Sequence, residues 1–393
     1  MSPRVALRSS AVPTPRARAP RALGPAARAG LGLAAAAVVL LPLIGGAALL
    51  DDEPARTSEA DEAARAAAGS FLDRYVQDDG RVVRPDQGGD TVSEGQSYGL
   101  VIAQVAKDDE TFGRVWEWTK RHLQRPDGLL ASHADARTVL DPAPASDADL
   151  VTAWALQRAT GPDAAAYRRE GLRLASAVLA LETTTRAGTR MLAAGPWATG
   201  SPVTLNPSYW MFNAFEDLGR ETGDPRWQEL ASGSLTLLRG LSEGGAKLPP
   251  DWARVDGTAV APTAAPNGQA AGVQYGLDAQ RAVVWLAAAC DGAARRLAAG
   301  WWPTLSDAGR SRALALTPDG ASVRPDAHAT ALVGSAAAAD AAGHPTERDR
   351  LLDEAARVDA AHPTYYGAAW VAIGRAILTT DSLGGCASGG RDR

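Results

Sequence analysis

The chain has 393 residues, 46% of them hydrophobic, which is enough for one large core or two smaller ones. Six of its 40 basic residues and none of its 45 acidic residues precede residue 51, so the remainder carries a net charge of −11. An acidic body argues against a nucleic-acid partner and suits a neutral or cationic one; two cysteines are too few for a disulfide scaffold or a zinc site.

In chain order, Arg4, Arg8, Arg16, Arg18, Arg21 and Arg28 precede an uncharged stretch, Ala29 to Leu50, which ends at Asp51-Asp52-Glu53. This is the pattern of a targeting segment with its basic end in the cytoplasm. It is either a cleaved signal peptide or a membrane anchor, and the long basic region favours the anchor. Both place the body outside the cytoplasm, secreted or held on the outer face of the cell membrane. Residues 51–64 are expected to be a linker and 381–393 a flexible tail.

From Thr57 to Thr380 the pattern is helix after helix. Alanine and leucine dominate and apolar residues recur every three or four positions, as in Glu59–Val76, Gln96–Val105, Asp163–Leu181, Pro207–Leu218, Asp326–Ala342 and Tyr365–Leu378. No sustained alternating run predicts a strand. A solenoid would show a repeat of about 30 to 45 residues; none is present, so a closed ring of helical hairpins is expected, with a cleft where the inner helices begin. Cys290 lies in an apolar helix and Cys386 in a Gly/Ser-rich tail, and their spacing leaves one disulfide or two thiols equally open.

Four motifs each predict a helix N-terminus. Ser93-Glu94-Gly95-Gln96-Ser97-Tyr98-Gly99-Leu100 has Ser93 as cap and Gln96 completing a capping box, with Glu94 at the helix mouth among small residues. Ser146-Asp147-Ala148-Asp149 puts two acids in a first turn. Asn206-Pro207-Ser208-Tyr209-Trp210 has a cap and a proline at the first helical position. In Gly276-Leu277-Asp278-Ala279, Asp278 is the cap and Arg281 lies one turn on. If these helices start on one side of a ring, their carboxylates converge across the cleft.

Paired carboxylates across a cleft are what glycosidic hydrolysis requires, one protonated to donate to the leaving oxygen and one ionised. Helix N-termini favour the ionised form, which suits Asp278 as base and works against Glu94 as acid. Glu94 then needs a neighbouring carboxylate, Asp147 or Asp149, and partial burial to hold its proton. A sugar cleft also needs aromatic platforms with a polar edge. The chain has 11 Trp and 7 Tyr against 4 Phe, and Tyr209, Trp210, Trp252, Tyr275, Tyr365 and Tyr366 fall in or beside the motifs. Trp116, Trp118, Trp154, Trp285 and Trp370 sit at apolar helical spacing and are expected in the core.

These motifs, together with Ala145–Ala155 and Leu248-Pro249-Pro250-Asp251-Trp252, resemble in content and order those of glycoside hydrolase family 8, over roughly residues 65–380. The resemblance implies an all-α (α/α)6 barrel and an inverting endo-glycosidase acting on a β-1,4-linked glucan. It implies Glu94 as general acid, Asp278 as general base, and Asp147 or Asp149 holding the reacting sugar. Asp149, Tyr98, Asn206, Tyr209, Asp251, Trp252, Tyr275, Arg281 and Tyr365 are the substrate-binding candidates. The alternatives are chitosan, mixed-linkage glucan or xylan as substrate, or a glycan-binding protein that does not cut. No metal or cofactor is expected; the partner is a polysaccharide, plus the membrane if the N-terminus is uncleaved, and the chain is expected to be a monomer. Two positions depart from the family pattern: Leu277 stands where a tyrosine usually precedes the base, and Ser132-His133 where a tryptophan platform is usual.

Overall fold

The computed structural model describes residues 52–266, 268, 272–384 and 386. The expected targeting segment and most of the expected tail lie outside them. Among the described residues thirteen helices occur: α1 Asp52–Tyr75, α2 Ser93–Ala106, α3 Asp109–His122, α4 Ser146–Gln157, α5 Ala164–Ala177, α6 Phe212–Thr222, α7 Arg226–Leu241, α8 Leu277–Ala288, α9 Gly292–Gly300, α10 Trp302–Leu305, α11 Ala329–Ala341, α12 Pro345–Ala361 and α13 Tyr365–Thr379. No described helix is long and apolar enough to cross a membrane.

The packing order of the helices makes an (α/α)6 barrel. The sequence α2, α4, α6, α8, α11, α13 and back to α2 closes an inner ring, and α1, α3, α5, α7, α9 and α12 lie outside it. Composition follows position. The inner helices α4, α8, α11 and α13 are apolar and small almost all round, because neighbours cover every face. The outer helix α3 instead buries Phe112, Val115, Trp116 and Trp118 on one face and shows charge on the other. The five tryptophans expected in the core are all buried. Trp301 is buried as well, whereas Trp302 is partly covered and packs on His344.

Several expectations need correction. Residues 52–64 belong to the first helix and are not a linker. Strands do occur: four small antiparallel sheets join residues 91–92, 133–134 and 139–141; 183–186 and 189–192; 203–205, 252–256 and 259–263; and 313–316 and 322–327. Each strand is only two to six residues long, too short to set an alternation against the helical background. The expected Asp163–Leu181 helix changes to a π-turn at Val178–Glu182, and Asp326 belongs to a strand that ends before α11. Cys290 and Cys386 form a disulfide, which ties the tail to the end of α8.

These sheets position the site. Strand 91–92 pairs with 133–134 and leads directly into α2, while Ser93 N–H donates to Ser132 O. Leu205 pairs with Ala253, which brings Asn206 to the Asp251-Trp252 turn. Tyr275 and Leu316 exchange both backbone bonds just before α8.

Candidate active site

The helix starts differ in detail from their sequence reading, and the differences free the acids for the cleft. Ser93 is already helical, and Val92 stands at the cap position without a side-chain bond. Gln96 does not close a capping box. Its buried amide instead accepts from Val82 N–H and donates to Thr119 Oγ1, because a buried amide must satisfy both ends. Ser146 likewise is helical and donates from Oγ to Ala193 O at 2.6 Å. Asn206 does cap, but it caps a 3-10 turn, Pro207–Tyr209, and α6 begins only at Phe212.

Asp278 is not the cap of α8. Asp251, from a separate turn, accepts from Gly276 N–H and Ala279 N–H, both at 2.8 Å, and so satisfies two backbone donors at the start of that helix. Gly276 is required for this approach, since a Cβ there would meet Asp251 Oδ2 at 2.5 Å. The Asp278 side chain is thereby released from its own helix and turns to the cleft.

At the centre lies one guanidinium. Arg281, 2% exposed, donates from Nη1 to Glu94 Oε1 at 2.6 Å and to Tyr98 OH at 2.6 Å, and from Nε to Ser208 Oγ at 2.8 Å. Its Nη2 pairs with Asp147 Oδ2 at 3.0 Å and with Asp278 Oδ1 at 3.1 Å. The Tyr209 ring lies 5.1 Å below the guanidinium carbon and meets Trp252 edge-on. Asn206 Nδ2 donates to Asp278 Oδ2 at 2.9 Å, and Tyr98 and Tyr365 each approach Glu94 at 3.3 Å. Tyr365 can come this close because Gly95 has no side chain; a Cβ there would sit 3.2 Å from its hydroxyl.

Three carboxylates therefore share one positive charge. Two like charges about 4 Å apart repel by about 4 kcal/mol at an effective dielectric near 20, roughly three pKa units. Asp147 shows this: burial first, then the Glu94 and Asp278 charges, lift it to about 7 despite Arg281. For Arg281 itself, burial opposes the charge, but the Tyr366 and Tyr98 phenols and the acids outweigh it and hold the group protonated. Asp251 is also raised to about 7, by burial and by the charge of Asp278. Burial and mutual repulsion thus hold Asp147 and Asp251 well above the ordinary carboxyl range.

Of the predicted residues, Glu94, Asp147, Asp278, Tyr98, Asn206, Tyr209, Arg281 and Tyr365 come together here. Glu94 and Asp278 keep 21% and 29% of their side chains open to solvent. Asp149 does not join them: it is wholly buried, accepts from Leu130 N–H at 2.8 Å and offers no surface to a sugar. Tyr275 is buried against the Leu316 strand with its hydroxyl unpartnered among the described residues, so it offers none either. The Asp251 carboxylate is occupied in capping, and Trp252 is largely covered behind Tyr209.

One residue escaped the sequence reading. Trp197 is 50% exposed and anchored by Nε1 to Pro144 O at 3.0 Å, three residues before Asp147. Nothing in its local sequence separates it from the buried tryptophans. His133, at the departing platform position, bonds Asp90 at 2.7 Å, and Asp90 is also held by Arg84.

A closed double ring of helices with acids gathered at the inner N-termini defines an α/α barrel with an acidic cleft. The chain matches the family model described as glycosyl hydrolases family 8 over residues 55–377, and it belongs to that family. It is 31% identical over 235 residues to a probable endoglucanase of Novacetimonas hansenii, covering 55% of this chain and 66% of that protein. It is 32% identical over 197 residues to an endoglucanase of Pseudomonas fluorescens (strain SBW25), covering 47% and 50%. The chain thus spans between half and two thirds of the length of these curated relatives. Its fold is that of endo-β-1,4-glucanase CMCax from Acetobacter xylinum, with TM-score 0.66 and 23% identity over 81% of this chain and 99% of that one. It also matches a β-1,3-1,4-glucanase from Paenibacillus sp. X4, with TM-score 0.72 and 18% identity over 82% and 92%.

Proposed function

We propose that the protein is an inverting endo-glycosidase that hydrolyses a β-1,4-linked glucan. The observation that carries this reading is the bridging of Glu94 and Asp278 by opposite arms of the Arg281 guanidinium. In the reaction Glu94 gives its proton to the glycosidic oxygen, and that bond breaks. Asp278 takes a proton from water as the water oxygen attacks the anomeric carbon from the other face of the sugar. Inversion needs the two carboxyls about 6.5–9.5 Å apart to admit that water. Asn206 orients Asp278 through its amide, and Asp147, beside both acids, holds the reacting sugar.

Glu94 accepts from Arg281, Tyr98 and Tyr365. Asp147, lifted to about 7 by its burial and by the Glu94 and Asp278 charges, is the neighbouring acid that can hold a proton near neutrality. Trp197 serves as an exposed platform for a sugar ring on the Asp147 side of the cleft.

The site of action is outside the cytoplasm. This rests on the basic and then apolar N-terminal sequence, and it agrees with a disulfide, which persists in oxidising compartments.

The test is reducing-end release from soluble cellulose, chitosan, lichenan and xylan, with the anomer of the fresh product read by NMR. Release from the cellulose derivative with an α-anomeric product supports the reading. Release at full rate by Glu94→Gln removes Glu94 as the acid, and oligosaccharide binding without release would make the protein a binding module.

A further inference from the structure

Behind the cleft lies a second acid pair that the reaction does not use. Asp149 and Glu182 are both 0% exposed, and among the described residues neither is paired with a basic group. Their carboxyls are close neighbours in the interior. Asp149 Oδ1 also accepts from Leu130 N–H, but among the described residues Asp149 Oδ2 and both Glu182 oxygens meet no N–H or O–H donor. Two adjacent carboxylates have no hydrogen to share, and a proton on one would let the pair bond and satisfy its unpartnered oxygens. Ionising both in a dry interior would leave two adjacent uncompensated charges.

The pair sits where three segments meet. Asp149 belongs to the first turn of α4, two residues after Asp147. Glu182 ends the π-turn that enters the 183–192 hairpin, and its carbonyl accepts from Ala193 N–H. Ala193 O accepts from Ser146 Oγ, and Ala194 O from Ser146 N–H. Asp147 is thus flanked by two residues, Ser146 and Asp149, that are both fastened to this hairpin region. Through Leu130, Asp149 also grips the chain entering strand 133–134, which pairs with the strand that delivers Glu94.

We propose that Asp149 and Glu182 act as positioning residues, a single proton shared between them locking the start of α4 so that Asp147 is held at its place in the cleft. The proposal rests on the glycosidase reading above, because it assigns Asp147 a sugar to hold. The charged groups facing the pair are the Asp147 and Asp127 carboxylates and Arg125, the last already bonded to Asp127. Burial, reinforced by the neighbouring acids, holds both carboxyls well above the ordinary range, in keeping with a retained proton. At high pH loss of that proton sets the two carboxylates against each other and loosens Asp147.

The experiment compares wild type, Glu182→Gln and Glu182→Ala. Glutamine keeps a donor to Asp149 but cannot lose it; alanine removes the bond. Glu182→Ala, shown folded by circular dichroism, is expected to lose roughly 10- to 100-fold in kcat with a smaller change in KM. Glu182→Gln is expected to recover most of that loss and to carry the alkaline limb of the kcat profile to higher pH. Infrared spectra at pH 8 provide a readout independent of turnover: wild type shows the carbonyl stretch of a buried protonated carboxylic acid, and Glu182→Gln lacks it. Absence of that band in wild type overturns the shared proton. Full kcat in folded Glu182→Ala, or an alkaline limb unmoved in Glu182→Gln, overturns the positioning role. If wild type cuts no polysaccharide, the glycosidase reading and the positioning role fail together, and the infrared band still decides the shared proton.

Discussion

Arg281 Nη1 lies 2.6 Å from Glu94 Oε1 and joins the start of α8 to the start of α2 across the mouth of the barrel. The same guanidinium reaches Asp147 and Asp278, so one buried cation organises every acid assigned to the reaction.

Replacing that cation is the most disruptive single change expected in the cleft. Arg281→Met leaves three carboxylates facing one another without a counter-charge. Breaking a buried ion pair from one side costs about 3–5 kcal/mol, and urea denaturation at pH 7 checks that figure. Because the acids gain protons at low pH, the deficit shrinks as pH falls. A variant as stable as wild type at pH 7 removes Arg281 from the centre of the site.

The acid and base should be separable by kinetics without loss of fold. Glu94→Gln and Asp278→Asn are each expected to lower kcat by about 10²–10⁴, the usual range for one general acid or base. Both side chains are partly open, so the melting temperature changes little. A leaving group that needs no proton, such as a dinitrophenol, should restore rate to Glu94→Gln and not to Asp278→Asn. The opposite pattern would exchange the two roles.

Stability should fall as pH rises through the range where the raised carboxyls ionise. Asp147 and Asp251 each have a folded value of about 7 against an ordinary 3.8. Between about pH 4 and 7 the folded protein keeps protons that the unfolded chain has released. Stability therefore declines with pH across that window and levels off above it. Melting temperatures at fixed ionic strength measure this, and Asp147→Asn should flatten the slope. An unchanged slope in the variant would mean that Asp147 does not hold the proton.

Trp197→Ala should weaken substrate binding and leave the fold alone. Half of the residue is exposed, and stacking beyond simple burial contributes about 0.5–1.5 kcal/mol. KM on long oligosaccharides is expected to rise roughly 3- to 10-fold, with kcat little altered. An unchanged KM would assign the ring to surface packing.

The Cys290–Cys386 disulfide should support stability and not turnover. It closes a separation of 96 residues at the end of the barrel where α8 and α13 finish, opposite the acids. Cys386→Ser is expected to cost about 2–4 kcal/mol and to leave kcat unchanged at 25 °C. Loss of activity in the folded variant would couple the two ends of the barrel.

The sequence by itself determined the helical ring and the motifs that supply its acids. Periodicity is local, so α2, α4, α8 and α13 were legible from their apolar spacing, and Glu94, Asp147 and Asp278 from their places at helix starts. The short strands were not, since pairs such as Val92 with His133 are made by contact across the chain and not by any local pattern. Tertiary structure alone decided what each acid does at its helix start. Asp251 caps α8 from another turn and frees Asp278, while Arg281 gathers three carboxylates that the sequence leaves far apart. It also separated Asp147 from Asp149, two residues apart in one first turn, by turning one to the cleft and the other to Glu182. The physical reason is that a carboxyl's charge and reach depend on its burial and its partners, and both are set by segments that meet only when the barrel closes.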